Sequence, residues 1–202
     1  LKEEYEAIVA AGFDVQLDCP DLAMSRHLGY SDKSDAEFAR LSEQALEALD
    51  AATRGIPPER MRLHLCWGNY AGPHHYDLPL AAVLPRALRS RAQAISFEGA
   101  NPRHAHEWEL FETARLPDDK IIVPGVIDSA TNFIEHPRLV AQRIERYARR
   151  VGRERVVGST DCGFGTSAGS TGVDAGIAWA KLQSLAEGAR IASERLWGRG
   201  AR

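Results

Sequence analysis

The chain of 202 residues is 44% apolar and 26% charged, which is typical of a globular domain long enough to bury a core. The 25 Lys and Arg against 28 Asp and Glu give a net charge of −3, and without a basic block nothing predicts nucleic-acid binding. No apolar run is long enough to predict a membrane span, and the three scattered cysteines do not resemble a disulfide framework. We therefore predict one domain, residues 1–202, in the cytoplasm, with free or metal-bound thiols.

Five short apolar runs alternate with amphipathic segments along the chain. The runs predict strands at residues 13–18, 61–66, 93–98, 121–127 and 155–160. The segments between and after them predict helices at 35–53, 78–91, 136–151 and 173–197, and a weaker helical pattern covers 104–116. Pro124 lies inside the fourth run, so we expect that strand to bend or to end early.

Repeated βα units predict an α/β fold with a parallel sheet and helices outside it. About 40 residues per unit would bring eight units to roughly 320 residues, which lies within the range of a (βα)8 barrel. Periodicity leaves two architectures open, an open five-stranded sheet and part of a barrel. The sequence opens on Leu1 within a helical pattern, so we expect a fragment that lacks an N-terminal segment or assembles as a homo-oligomer.

Side chains of the kind that bind soft metals stand at the carboxyl ends of three predicted strands. His64 and Cys66 end the second strand, Glu98 ends the third, and Cys162 follows the fifth. His64 and Cys66 share one face, because side chains two residues apart in a strand do. One imidazole, two thiols and a carboxylate together would suit zinc. Each residue alone is as well explained by packing, but their joint position at strand ends favours a metal site.

Four segments together resemble the C-terminal catalytic barrel of cobalamin-independent methionine synthase. They are more similar still to its shorter bacterial and archaeal relatives, a group that includes the epoxyalkane:coenzyme M transferases. The segments are 63–66 (LHLC), 94–104 (AISFEGANPRH), 123–127 (VPGVI) and 160–164 (TDCGF). The resemblance runs from about Tyr5 to Gly163 and implies a (βα)8 TIM barrel, to which this chain contributes about five units, the fourth to eighth strands.

The resemblance also implies a function and a set of site residues. It implies a zinc ion held by His64, Cys66, Glu98 and Cys162, which activates a substrate thiol for alkyl or methyl transfer. The partners would then be a small-molecule thiol and an alkyl donor, as in a methyltetrahydrofolate/homocysteine S-methyltransferase. Asp18 matches the acidic residue that binds the amino group of homocysteine in the synthases. Without the resemblance, Asp18 is better explained as a cap or loop carboxylate.

The sequence departs from the synthases at two places. In the synthases, the segment after Pro-Gly-Val carries a histidine that acts as the general acid near the methyl donor. Here residues 125–131 read GVIDSAT and contain no histidine. Asp128 is the candidate replacement as proton donor, although a loop or cap role explains it equally well. Cys19 stands where the synthases have a second acidic residue, which puts homocysteine in doubt. Two alternatives therefore stay open: a zinc thiol transferase acting on another electrophile such as an epoxide, and a truncated, non-catalytic zinc-binding fragment.

Several further polar residues lie near the predicted ligands. His74 and His75 either shape a substrate pocket or belong to an exposed loop. Arg103, His104 and His106 either support the metal site or begin a solvated helix.

Overall fold

The computed structural model describes residues 1–165, 169 and 172–198. Its strands are β1 (Val15–Asp18), β2 (Met61–His64), β3 (Ala94–Phe97), β4 (Ile121–Ile127) and β5 (Ser159–Thr160). Its α-helices are α1 (Lys2–Ala10), α2 (Ser25–Leu28), α3 (Asp35–Ala52), α4 (Leu80–Ala87), α5 (Pro137–Val151) and α6 (Ala175–Trp197). Short 3-10 helices occur at Pro20–Leu22, Pro58–Arg60, Glu107–Glu112 and Arg153–Arg155.

The strands form one parallel sheet in the order β1-β2-β3-β4-β5. Strands that follow one another in the chain are therefore neighbours, as repeated right-handed βα units produce. The sheet curls into half a barrel and helices cover it. This confirms the predicted (βα)8 type with about five units and excludes the open flat sheet.

The register of the strands places apolar and polar residues on opposite faces. One row of side chains, each at most 3% exposed, belongs to the core: Leu17, Leu63, Ile95 and Ile122. Residues paired across a parallel sheet share a face, and the next residue along each strand points to the other side. Asp18, His64 and Ser96 are paired in this way. The alternation therefore aims His64 away from the helix layer.

Pro124 does not end the fourth strand, so the expectation of an early end is wrong. β4 continues to Ile127, although its register with β5 is irregular just after the proline. The bonds that tie β4 to the following segment use the backbone carbonyls of Ile122 and Ile127. A proline between these two carbonyls removes one donor and leaves both bonds in place.

The fifth strand and the weak helix are shorter than predicted. Only Ser159–Thr160 is strand, and the 3-10 helix Arg153–Arg155 occupies the start of the predicted run. The Arg155 side chain donates to backbone carbonyls of the segment 116–120. Residues 104–116 contain only the 3-10 helix Glu107–Glu112, and the Glu107 side chain accepts from Leu80 N at 2.6 Å. In the part of the chain that the structure describes, no helix is long and apolar enough to cross a membrane.

Candidate metal centre

Three of the four predicted ligands meet beyond the carboxyl ends of β2 and β5. Ligand atoms of His64, Cys66 and Cys162 all lie within 4.8 Å of one another. Two strands lie between β2 and β5, so the strand spacing would separate these ends by roughly 14 Å in a flat sheet. The curl of the sheet and the loop after β5 therefore bring Cys162 to Cys66. We call His64, Cys66 and Cys162 the ligand cluster.

The imidazole of His64 is held by one nitrogen and leaves the other without a partner. Nδ1 lies 3.3 Å from Ser96 Oγ, whereas Nε2 is buried and meets no hydrogen-bond partner among the described residues. A buried ring nitrogen without a partner is unfavourable unless an ion or water satisfies it. A histidine that ligates a metal through one nitrogen while the other makes a hydrogen bond is the usual arrangement. The cluster therefore fits a zinc ion by donor type and by this unpartnered nitrogen.

The two thiols of the cluster are coupled. The Cys162 thiol, together with burial, raises the pKa of the Cys66 thiol, and the His64 imidazole opposes this rise. The Cys66 thiol in turn lowers the pKa of Cys162, against burial and the nearby carboxylates of Glu98 and Asp18. Cys66 therefore keeps its proton to a higher pH than Cys162 does. Binding of a metal ion by both sulfurs must displace the remaining proton, since thiolates are the ligating form.

Glu98 lies beside the cluster but outside the group of mutually close ligand atoms. Its Oε1 accepts from Trp67 N at 3.2 Å and its Oε2 from Asn101 Nδ2 at 2.8 Å. Burial, with repulsion from Asp161, raises the pKa of Glu98 to about 8. Its role as the fourth ligand stays a prediction.

A pocket of about 310 Å³ opens next to Glu98. Asp128 and Arg103 also line it, together with the loop after β2. Asp128 is buried, and its Oδ1 accepts from Ala130 N at 2.7 Å. The bond to Ala130 N is the contact expected for a loop or cap role of Asp128. Its position in the pocket wall is the one that a proton donor requires.

Asp18 lies next to His64 in the register of the sheet and is exposed. Its position on the same face as His64 places a carboxylate at the edge of the half-barrel. The groove that it lines runs along α3 and contains Cys19 and Leu22, a different groove from the one beside Glu98. Its role in substrate binding stays a prediction.

A second polar cluster, which the sequence did not reveal, surrounds Asp77. This buried carboxylate contacts His104 Nε2 at 3.1 Å and His74 Nδ1 at 2.7 Å, and lies 3.6 Å from His27 Nδ1. His104 Nδ1 also lies 2.7 Å from Glu107 Oε2. His104 is therefore a buried imidazole between two carboxylates rather than the start of a solvated helix. The only advance signal was the number of histidines near the loop after β2.

The His104 imidazole should give the protein a pH-dependent stability. Burial lowers the pKa of His104, but hydrogen bonds to Asp77 and Glu107 outweigh it and raise the pKa to about 9. Because the unfolded value is about 6.5, this stabilisation is complete below that pH and is lost as pH rises through about 9. The difference in unfolding free energy between the protein and its His104→Gln variant should therefore shrink from pH 6.5 to pH 9. Urea unfolding across this range measures it, and a difference that stays constant would contradict the assignment.

The fold and the cluster together define a class: half of a TIM barrel with a candidate metal centre at the carboxyl ends of its strands. No family model matches the chain. The chain is 28% identical over 177 residues to the 2-hydroxypropyl-CoM lyase of Xanthobacter autotrophicus, a match that covers 75% of this chain and 46% of the lyase. The structure is similar to that of a B12-independent methionine synthase from Shewanella sp. W3-18-1 in complex with selenomethionine. The TM-score is 0.74 at 24% identity, over 96% of this chain and 53% of the synthase.

These similarities confirm the resemblance to the cobalamin-independent methionine synthase family that the motifs predicted. The likeness to the synthase structure confirms the barrel fold. The chain spans about half the length of each of the two proteins that it matches.

Proposed function

We propose that this chain supplies the metal-binding part of a zinc-dependent barrel enzyme that activates a substrate thiol for alkyl transfer. The observation that carries the proposal is the ligand cluster, in which two thiols converge on a buried histidine whose Nε2 lacks a partner. Structural zinc sites close all four positions with protein ligands, whereas catalytic sites keep one exchangeable. Three close ligands beside a pocket favour the catalytic kind.

His64 Nε2 and the sulfurs of Cys66 and Cys162 would hold the ion, with Glu98 as the fourth ligand. Bound zinc would lower the pKa of a substrate thiol and keep it as the nucleophilic thiolate at neutral pH. Glu98 is the most readily displaced of the four, because its carboxyl already has two hydrogen-bond donors, Trp67 N and Asn101 Nδ2, that compensate for leaving the metal.

The other site residues would orient the substrates. The pocket beside Glu98 is large enough for a small alkyl donor, and Asp128 lies in its wall. Asp128 would supply the proton that the leaving atom takes up as its bond to the alkyl carbon breaks. Asp18, next to His64 in the sheet, would bind a polar group of the thiol substrate. Among the alkyl groups that could be transferred, a methyl group is the leading candidate.

A second electrophile is favoured by a specific observation. Residues 125–131 contain no histidine, although the synthases use one there as the acid near the methyl donor. The chain is also similar to a protein named 2-hydroxypropyl-CoM lyase. The alternative reaction is therefore the attack of a zinc-activated thiol on an epoxide. A non-catalytic zinc-binding protein is the third candidate. The cytoplasmic location and a homo-oligomeric state stay predictions.

Parallel assays on the full-length, zinc-loaded protein would separate these candidates. We expect small thiols to be consumed with either a methyl donor or an epoxide, and the productive electrophile to identify the reaction. Asp128→Asn should lower kcat about 100-fold or more if Asp128 transfers a proton. The exposed Asp119→Asn serves as the matched control and should retain the activity. Bound zinc without thiol consumption on either electrophile would contradict the enzyme proposal and support the non-catalytic one.

A further inference from the structure

Asp161, next to Cys162, is a buried carboxylate that binds a different loop. Its Oδ1 accepts from the backbone N–H groups of Gly99 and Ala100, both at 2.8 Å. Its Oδ2 accepts from Asn101 N at 2.9 Å and from Asn101 Nδ2 at 3.1 Å. Four donors on one carboxylate satisfy nearly all of its acceptor capacity. Asp161 therefore joins the segment after β5 to the loop after β3.

The backbone around this carboxylate leaves room for it through glycine. A Cβ at Gly125 in β4 would lie 2.7 Å from the Cα of Asp161 and closer still to its Oδ1. Such approaches do not occur between real Cβ atoms and backbone, so a side chain at Gly125 would expel Asp161 from its place. The close contact explains a glycine in the interior of a strand, where it otherwise weakens the strand.

The side chain of Asn101 links Asp161 to Glu98 by hydrogen bonds. Its side-chain amide donates to Glu98 Oε2 at 2.8 Å as well as to Asp161 Oδ2. Its Oδ1 accepts from the backbone N–H groups of Arg103 and His104, at 3.0 and 3.1 Å. An amide fixed at both ends has little freedom to turn. The carboxyl of Glu98 is thus positioned by Asp161, the neighbour of Cys162 in the chain, although Glu98 follows β3 and Asp161 follows β5.

We infer that Asp161 is a positioning residue of the candidate metal centre, which acts through Asn101 to hold Glu98 beside the ligand cluster. The inference rests on the proposed function, since it gives Glu98 the role of the fourth ligand. When a residue that orients a metal ligand by hydrogen bonds is replaced, the metal affinity typically falls about 10- to 100-fold. Cys162 itself is held separately, because its N–H donates to Ser129 Oγ at 3.1 Å. Replacement of Asp161 should therefore act on Glu98 more than on Cys162.

The test is a double-mutant cycle on zinc affinity, measured by competition with a chelator on the full-length protein. Asp161→Asn keeps the shape but turns an N–H donor toward Asn101. It should weaken zinc binding about 10- to 100-fold, and far less in a protein that already carries Glu98→Ala, because coupled residues are non-additive. Co²⁺ in place of zinc should show a shifted visible spectrum in Asp161→Asn while thiolate absorption persists.

Controls keep the result interpretable. Asp50→Asn alters a carboxylate that also accepts a backbone N–H, that of Arg91 at 3.0 Å, away from the cluster, and should leave zinc affinity unchanged. If Asp161→Asn does not fold, Asn101→Ala removes the link to Glu98 and leaves the Asp161 bonds to Gly99 and Ala100. An unchanged zinc affinity in these variants, or an equal loss with and without Glu98→Ala, would overturn the inference alone. A wild-type protein that binds no zinc would overturn the proposed function with it.

Discussion

Cys66→Ser and Cys162→Ser should each abolish stoichiometric zinc binding. The full-length protein should carry about one zinc per chain, and either variant should fall to background in elemental analysis after gel filtration. The physical reason is that serine is a poor ligand for zinc beside two softer donors. Loss of either sulfur also leaves three protein ligands, of which one is Glu98, the most readily displaced of the proposed four.

Cys19 provides the matched control for this experiment. Its thiol is also buried in the core, where it donates to Leu17 O at 3.6 Å, and burial with the nearby carboxylates raises its pKa to about 12. Cys19→Ser should therefore keep its zinc. Equal zinc in all three variants, or loss in Cys19→Ser as well, would show that the metal is bound elsewhere or that zinc loss only reports unfolding. Circular dichroism on each variant separates these outcomes.

Lys181→Met should destabilise the protein by about 3–5 kcal/mol, because it leaves a buried carboxylate without its cation. Lys181 in α6 has no solvent exposure, and its Nζ donates to Glu135 Oε2 at 2.9 Å and to Asp128 O at 3.0 Å. Glu135 Oε1 in turn accepts from Asp128 N at 2.8 Å. Urea unfolding measures the change in free energy. The same pair fixes the backbone of Asp128, so the proposed thiol-transfer activity should also fall.

The ion pair can be tested against its own partner and against an exposed pair. Adding Glu135→Gln to Lys181→Met removes the unpaired charge and should recover part of the lost stability. Arg190 on the same helix binds Glu187 and Glu194 at the surface, and Arg190→Ala should change stability little. A small effect of Lys181→Met, or no recovery in the double variant, would mean that Glu135 is protonated or solvated in the folded state.

Much of the fold and the set of candidate metal ligands could be predicted from local pattern. Apolar residues at alternate positions determine which strand face is buried, so Leu63 and Ile95 in the core and His64 on the other face follow from the sequence. The ends of strands are where parallel sheets present active-site residues. Cys66 and Glu98 were therefore recognisable from their positions. Cys162 was recognisable in the same way, because it follows the run 155–160, although only Ser159–Thr160 of that run is strand.

The tertiary structure decided what depends on distances between strands. Whether Cys162 reaches Cys66 is set by the curl of the sheet, which accumulates over several strands and which no single segment encodes. The contacts of Glu98 with Trp67 N and Asn101, and the burial of Asp161, depend on loops that pack together from different units. The cluster around Asp77 also arises from separate segments. Local sequence determined which side chains face the site, and packing between the units determined which of them meet.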